Sequence, residues 1–288
     1  IIKMRLIILI GQRVRSGTNF VGSTLIQHPD IQTIPKDKSL GELNLFRSRS
    51  LEYNLRNITQ HSFGVNFNEN DIANYYKSYG DMCIKFLITK YQLNVDKPLF
   101  IKSPIIKNID LWLKVFPNAK FILLCRDGRD NTISSVKASN DKRRWHDLNI
   151  KMKKRINFYS GRSYFAHIKN WKETASTYYK IHSTENLMKI KYEQLLSSTD
   201  KLNELMNFLE LESSQPILKQ CMNAPVVGSS FGNREGKISR PNWKPEYDKS
   251  KFVFTKKWEK WGWLKKQVFK KLAGEELIAL GYEKDNNW

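Results

Sequence analysis

The sequence predicts one α/β domain over residues 1–288, in which a parallel β-sheet is flanked by helices. Short apolar runs at residues 98–104, 121–125 and 187–192 follow an opening run that ends at Gly11. Between these runs lie longer stretches whose apolar residues recur at helical spacing. This alternation favours a parallel sheet, because parallel neighbours need a crossover between them. With 288 residues the chain can bury a large core without disulfides.

The opening strand leads into a basic loop, residues 12–19, and then a helix with Phe20, Val21 and Leu25 on one face. The first amides of a helix have no internal partner, and the helix dipole favours an anion there. The loop adds the charge of Arg15 and the amides and hydroxyls of residues 16–19. The pattern differs from GxxxxGK[ST], because Thr18 and not a Lys follows Gly17. We therefore expect a phosphate site without a metal; an ordinary strand–turn–helix connection is the alternative.

The next region contains the end of this helix and a second one. His28 and Pro29 should end the first helix. Residues 31–46 should return to the rim of the sheet, where ligands bind in such folds. Residues 47–66 are polar and predicted to be irregular. Asn68 and Asp71 resemble a capping box, which predicts a helix over about residues 71–93.

Two further strands end in cations. The run at 98–104 carries Lys102 near its end, where an unpaired charge is unusual; a snorkelling surface Lys is the alternative. A helix over 108–116 follows. The run at 121–125 is apolar on both faces, which is typical of a central parallel strand, and it leads into Arg126 and a helix bearing Ser134. Because parallel strands end at one rim, we expect two anion sites there and a ligand with two phosphate groups.

The second half of the chain alternates in the same way. We predict helices over 163–182, with Phe165 among the residues at core spacing, and over 199–211, with the strand at 187–192 between them. Closing helices are predicted over 253–282, with Trp258, Trp261 and Trp263 on a core face. The basic residues of 141–155 are interpreted as a solvated segment, with contact to an anionic acceptor as the alternative. Residues 223–251 are rich in Gly, Pro and Ser and long for a connection, so they are predicted to form a lid or cofactor-binding loop.

Composition limits the function classes. The net charge of +21 favours polyanionic partners, and no apolar run is long enough to predict a transmembrane helix or stable membrane insertion. Three widely spaced cysteines match no metal-ligand spacing and favour a reducing compartment, so we expect a cytoplasmic protein.

Several of these segments resemble sulfotransferases that use 3′-phosphoadenosine 5′-phosphosulfate (PAPS). The loop at 15–19 is similar to their PRSGT loop. Their 3′-phosphate motif is similar to residues 116–129, FPNAKFILLCRDGR, followed by Ser134. Residues 102–104, KSP, resemble the strand that ends in a Lys near the sulfuryl group. KYEQL at 191–195 resembles a strand end near the nucleotide. REGK at 234–237, with WK at 243–244, resembles a lid in which a Lys is usual at the position of Glu235. The resemblance implies a P-loop-like sulfotransferase fold.

The resemblance also assigns roles. It implies that the cofactor is PAPS, that the product adenosine 3′,5′-bisphosphate is released, and that no metal takes part. The residues that would contact the nucleotide are Arg15, Ser16, Gly17, Thr18, Asn19, Phe20, Arg126, Ser134, Tyr192, Arg234, Glu235, Gly236 and Lys237. Lys102 and Arg15 would neutralise charge during in-line sulfuryl transfer. The usual positions for the base do not match, which leaves Asp37 first, Glu42 second and His61 third.

The motif style is that of tyrosylprotein and carbohydrate sulfotransferases, and it also resembles cyanobacterial natural-product sulfotransferases of the saxitoxin-pathway type. The expected acceptor is the hydroxyl or amine of a small molecule, with a cationic alkaloid or a sugar both open. One alternative is a P-loop kinase or NTPase-like phosphotransferase, which needs a Lys after the Gly and a metal carboxylate. The other is a basic nucleic-acid-binding protein, a class that leaves the ordered motifs unexplained.

Overall fold

The computed structural model describes residues 4–35, 40–61, 64–141, 148–228 and 245–288. Its centre is a five-stranded sheet of β1 (Leu6–Gly11), β2 (Gln32–Thr33), β3 (Leu99–Ser103), β4 (Lys120–Cys125) and β5 (Leu187–Lys191). The strands lie in the order β2-β3-β1-β4-β5, and every pair is parallel. The predicted fold class, a parallel sheet flanked by helices, is confirmed.

Helices connect the strands and cover both faces of the sheet. In chain order they are α1 (Thr18–Leu25), α2 (Ser50–His61), α3 (Glu69–Tyr91), α4 (Ile109–Val115), α5 (Gly128–Ser139), α6 (Leu148–Tyr159), α7 (Arg162–Lys180), α8 (Tyr192–Ser197), α9 (Thr199–Phe208), α10 (Gln215–Met222) and α11 (Trp263–Ala279). Two short 3₁₀ helices, Lys249–Lys251 and Lys257–Lys260, precede α11. Among the described residues, no helix is long and apolar enough to cross a membrane.

Two core layers lie on opposite faces of the sheet, because side chains alternate along a strand. Ile8 and Ile10 of β1 belong to the layer that contains Trp112 and Trp171. Ile7 and Leu9 belong to the other layer, together with α1 and α9. The central strands are therefore buried on both faces, as their apolar runs predict.

Several predicted elements are confirmed and three expectations are wrong. The capping box is present, since Asn68 accepts from the amide of Asp71 and Asp71 accepts from that of Asn68. However, α2 occupies most of the stretch predicted to be irregular. Its buried side chains are Leu51 and Leu55 alone, too few to produce a clear apolar period.

The aromatic residues of the C-terminal half account for the other two differences. Trp263, predicted to face the core, is 73% exposed, and Phe165, expected at core spacing in α7, is 42% exposed. Trp258 stacks on the guanidinium of Arg129, with the Arg Cζ 3.5 Å from the ring centroid. Spacing alone did not separate aromatic residues that pack in the core from those that cover a buried cation.

Candidate functional site

A cavity of about 490 Å³ lies at the carboxyl-terminal rim of the sheet. The loop after β1, the turn after β3, the residue after β4, the second half of α5 and residues 252–257 all border it. Residues that the sequence singled out form a large part of its wall: Arg15, Gly17, Thr18, Asn19, Phe20, Glu42, Arg126, Ser134 and Tyr192. The structure therefore brings most of the predicted site residues to one opening.

The loop between β1 and α1 has a tightly folded backbone. The Ser16 amide donates to the carbonyl of Arg13 at 3.1 Å, and the Arg13 amide donates back to Ser16 Oγ at 3.2 Å. Gly17 has a φ of 100°, and a Cβ there would lie 2.3 Å from the ring of Tyr192. A glycine is required here for both reasons. The loop thereby presents the N-terminus of α1 to the cavity.

Arg126, directly after β4, is a buried cation whose described hydrogen bonds go to carbonyl oxygens and whose charge acts on the carboxylates of Asp130 and Glu193. Its Nη1 donates to the carbonyl of Arg15 at 3.0 Å, and its Nη2 donates to the carbonyl of Phe254. Its Cζ lies 4.8 Å from the ring centroid of Tyr192. Its buried Nε has no hydrogen-bond partner among the described residues. This Nε donor is directed to no described group and could donate to an anion.

The two predicted anion sites adjoin each other. Arg15 Nε donates to Ser134 Oγ at 3.1 Å, so the loop after β1 touches the helix after β4. Together with the bond from Arg126 to the carbonyl of Arg15, this contact makes one cationic wall. A ligand with two anionic groups could reach both parts of it.

A buried network that sequence reasoning missed ties this loop to α5 and α7. The Arg13 guanidinium donates to Asn131 Oδ1 at 2.8 Å and to Ser135 Oγ at 3.0 Å, and it contacts His167 Nδ1 at 2.8 Å. Burial lowers the pKa of Arg13 to about 10. Burial and the charges of Arg13 and Lys154 lower the pKa of His167 to about 4, so the imidazole is neutral at pH 7 and accepts from Arg13.

Lys102 lies behind the cavity wall, next to Glu42 and Asn19, which border the cavity; its own side chain is completely buried and is not part of the wall. Its Nζ donates to Glu42 Oε2 at 2.7 Å and to Asn19 Oδ1 at 2.8 Å. A parallel β-bridge between Glu42 and Lys102 fixes the two backbones. Burial lowers the pKa of Lys102, and the Glu42 carboxylate opposes that change. The alternative of a snorkelling surface Lys is wrong.

The segment before α11 closes the cavity and was not predicted to do so. The carboxylate of Asp130 accepts from the amides of Lys256 at 2.6 Å and Lys257 at 2.8 Å. The Lys257 side chain borders the cavity. Burial, followed by the charge of Arg126, lowers the pKa of Lys257 to about 8. Asp130 lies more than a hundred positions earlier in the chain, so no local pattern indicates this contact.

Some predicted residues lie elsewhere. Asp37 and the four residues at 234–237 are outside the described ranges. His61 is exposed at the end of α2 and does not border the cavity. Within the described residues, no three His, Cys, Asp or Glu side chains are grouped closely enough to hold a metal ion.

Comparisons with known proteins agree on one family. The profile of the sulfotransferase family matches residues 7–215. A curated relative, protein-tyrosine sulfotransferase 1 of Danio rerio, is 24% identical over 244 residues, which cover 81% of this chain. The chain spans 60% of the length of that relative.

Two solved structures share the fold. Mouse sulfotransferase SULT7A1, complexed with PAP, aligns with a TM-score of 0.51 at 13% identity, covering 96% of this chain and 84% of that one. The sulfotransferase domain from the curacin biosynthetic pathway aligns with a TM-score of 0.52 at 16% identity, covering 97% and 99%.

Proposed function

Because the chain belongs to the sulfotransferase family, we propose that it transfers the sulfuryl group of PAPS to a hydroxyl or amine of a small molecule. The observation that carries this proposal is that Arg15, Arg126 and Ser134 border the same cavity as Glu42. The Glu42 carboxylate is in turn hydrogen-bonded to the buried ammonium of Lys102.

The residues present fit the nucleotide. Arg126 and Ser134 would hold the 3′-phosphate, and the amides and hydroxyls of residues 16–19, with Arg15, would hold the 5′-phosphosulfate. The Arg126 Nε, buried without a described partner, supports an anion at this position. When bound, PAPS supplies an activated sulfuryl group on a phosphate that can leave. The aromatic rings of Tyr192 and Phe20 border the same cavity and could pack against the nucleotide.

The protein's own contribution is charge stabilisation and positioning. Lys102 lies where charge on the transferred group and the departing phosphate could be neutralised, and Arg15 would share that role. Asn19 and Glu42 fix the Lys102 ammonium at 2.8 and 2.7 Å, so little reorganisation is needed during transfer.

Glu42 is the base that this geometry favours. Its carboxylate borders the cavity, and its side chain is 31% exposed, so an acceptor group could reach it. It would take the proton of the acceptor hydroxyl or amine, while Lys102 keeps the carboxylate oriented. Asp37 stays a sequence prediction. The acceptor is proposed to be a small alcohol, amine or sugar, and a role in natural-product biosynthesis also stays a prediction.

Ligand-induced thermal shifts test the proposed cofactor. Adenosine 3′,5′-bisphosphate should raise the melting temperature, since binding to the folded state stabilises it. ATP with Mg²⁺ is the control for a phosphotransferase, and a larger shift with ATP would reverse the assignment. Transfer of ³⁵S from labelled PAPS to panels of alcohols, amines and sugars then identifies the acceptor. A steep salt dependence of binding to DNA or RNA, without any response to the bisphosphate, would favour the nucleic-acid alternative.

A further inference from the structure

Helix α6 presents a row of large apolar side chains away from the core. Met152, Ile156 and Tyr159 follow the spacing i, i+4 and i+7, which places them on one helix face. Their exposures are 65%, 54% and 82%. These three residues are called the α6 stripe. The helix packs against α7, and the stripe residues lie at exposed positions of it.

Cations border the α6 stripe on both sides. At 100° per residue, Lys151 and Arg155 lie on one side of the stripe and Lys153 lies on the other. These three residues are called the α6 flanks. The helix contains no Asp or Glu, and among the described residues no ion pair holds the α6 flanks. The charge of the flanks is therefore available to an external partner.

This arrangement matches an anionic lipid surface. In a helix that lies in the plane of a bilayer, apolar side chains enter the acyl boundary while flanking Lys and Arg reach the headgroups. Tyr suits that boundary because its ring is apolar and its hydroxyl is polar. Anionic leaflets attract such clusters, and the net charge of +21 adds long-range attraction.

We propose that α6 docks this protein peripherally on bilayers that contain anionic lipids. The contact is an addition to the proposed sulfotransferase activity, because none of the stripe or flank residues borders the cavity. Binding is reversible, since one short helix with three apolar side chains gives only weak anchorage.

Co-sedimentation with vesicles tests the proposal on the full chain. The vesicles are phosphatidylcholine alone, or phosphatidylcholine with about 30 mol% phosphatidylserine. The triple variant Met152→Ser/Ile156→Ser/Tyr159→Ser should lower partitioning onto the anionic vesicles by about tenfold. Its matched control is Tyr53→Ser/Met82→Ser/Phe86→Ser, which removes equally exposed apolar side chains from α2 and α3 and should leave partitioning unchanged.

Two charge-reversal variants distinguish binding through α6 from attraction by the net charge alone. Lys151→Glu/Lys153→Glu/Arg155→Glu and Lys77→Glu/Lys85→Glu/Lys90→Glu change the net charge equally, and the second set lies on exposed positions of α3. Only the α6 set should abolish sedimentation with anionic vesicles. Equal losses from both sets, or no sedimentation of the unmodified protein, would overturn the proposal.

Two further readouts complete the test. Retention on polyglutamate but not on vesicles, lost in the stripe variant, would overturn the lipid assignment and indicate an acidic protein partner. The thermal shift with adenosine 3′,5′-bisphosphate should be the same in all four variants, which shows that each is folded. That readout depends on the cavity, so failure of the lipid proposal and failure of the proposed function are distinguishable.

Discussion

The two sides of the cavity hold their cations in different ways. On the transfer side, buried Lys102 is paired with a carboxylate, Glu42, at 2.7 Å. On the anchor side, formed by Arg15, Arg126 and Ser134, the described contacts of the Arg126 guanidinium are to carbonyl oxygens and to an aromatic ring. Lys102 has a carboxylate within hydrogen-bond distance, whereas the described hydrogen bonds of Arg126 go to carbonyl oxygens, and the carboxylates of Asp130 and Glu193 act on it only electrostatically.

Because of this difference, we expect the two cations to affect different quantities, namely the rate constant kcat and the affinity for the nucleotide. A cation paired to a carboxylate contributes little net attraction to a bound anion, but it is held in position for charge that develops during the reaction. A guanidinium without a hydrogen-bonded carboxylate attracts a phosphate in the ground state as well. Variants on the transfer side should therefore change kcat, and variants on the anchor side should change the affinity for the nucleotide.

The largest effect is expected from Lys102→Ala. Loss of one preorganised donor should lower kcat by about 10³-fold, while the Kd for adenosine 3′,5′-bisphosphate changes by less than about threefold. The variant should fold, since the Glu42 side chain is partly exposed and its carboxylate can be solvated. Sulfate-transfer rates and titration calorimetry measure the two quantities. Lys107→Ala, at an exposed position nearby, is the control, and a kcat within threefold of the unmodified enzyme would remove Lys102 from the mechanism.

The position of Lys102 could be predicted from sequence, but its partners could not. An isolated Lys at the end of an apolar strand indicates a buried charge that needs a partner. That partner comes from Glu42, which lies 60 positions earlier in a turn that the β2 and β3 pairing brings alongside. Sequence reasoning ranked Asp37 above Glu42, because both are carboxylates in the same segment and the sequence alone gives no distance from either to the end of β3.

The second effect is that of Glu42→Gln, which keeps an oxygen acceptor for Lys102 but cannot take a proton. We expect kcat to fall by about 10²-fold, because the amide cannot take the proton of the acceptor. The Kd for the bisphosphate should stay unchanged, because the positive side of the cavity is intact. Sulfate-transfer rates of this variant, compared with those of Asp37→Asn and His61→Gln, identify the base. A kcat of Glu42→Gln within threefold of the unmodified enzyme would exclude this carboxylate.

The third-largest effect is expected from Arg126→Ala, which should change the affinity for the nucleotide and not kcat. Arg126→Ala should weaken binding of adenosine 3′,5′-bisphosphate by about 30-fold, because two or more charge-assisted hydrogen bonds are lost. At saturating PAPS, kcat should fall by less than about threefold. Arg162→Ala, an exposed Arg at the start of α7, is the matched control. A variant that loses kcat and keeps its affinity would show that the anchor and transfer sides are not distinct.

Local pattern explains which parts of the fold and site were predictable. The β3 and β4 strands and the loop at residues 12–19 each lie within one short segment, so apolar runs and turn residues indicated them. The contacts of Arg13 with His167 and of Lys257 with Asp130 join segments more than a hundred positions apart. A single Arg or Lys in a basic chain carries no signal of such a partner. Helix α2 was missed for a related reason, since only two of its side chains are buried.

The smallest effect concerns Lys257, where the anchor side extends into the segment before α11. Burial lowers the pKa of Lys257 to about 8. Its side chain is therefore charged at pH 7, and this charge is lost as the pH rises above 8. A bound phosphate stabilises the charged form, and affinity for the bisphosphate should therefore fall by about fivefold between pH 7 and pH 9. In Lys257→Met that dependence should largely disappear, and the affinity at pH 7 should match that of the unmodified protein at pH 9. Lys260→Met, exposed one turn later, should keep the full dependence. Equal pH dependence in both variants would place the titrating group elsewhere and confine the anchor side to the ends of β1 and β4.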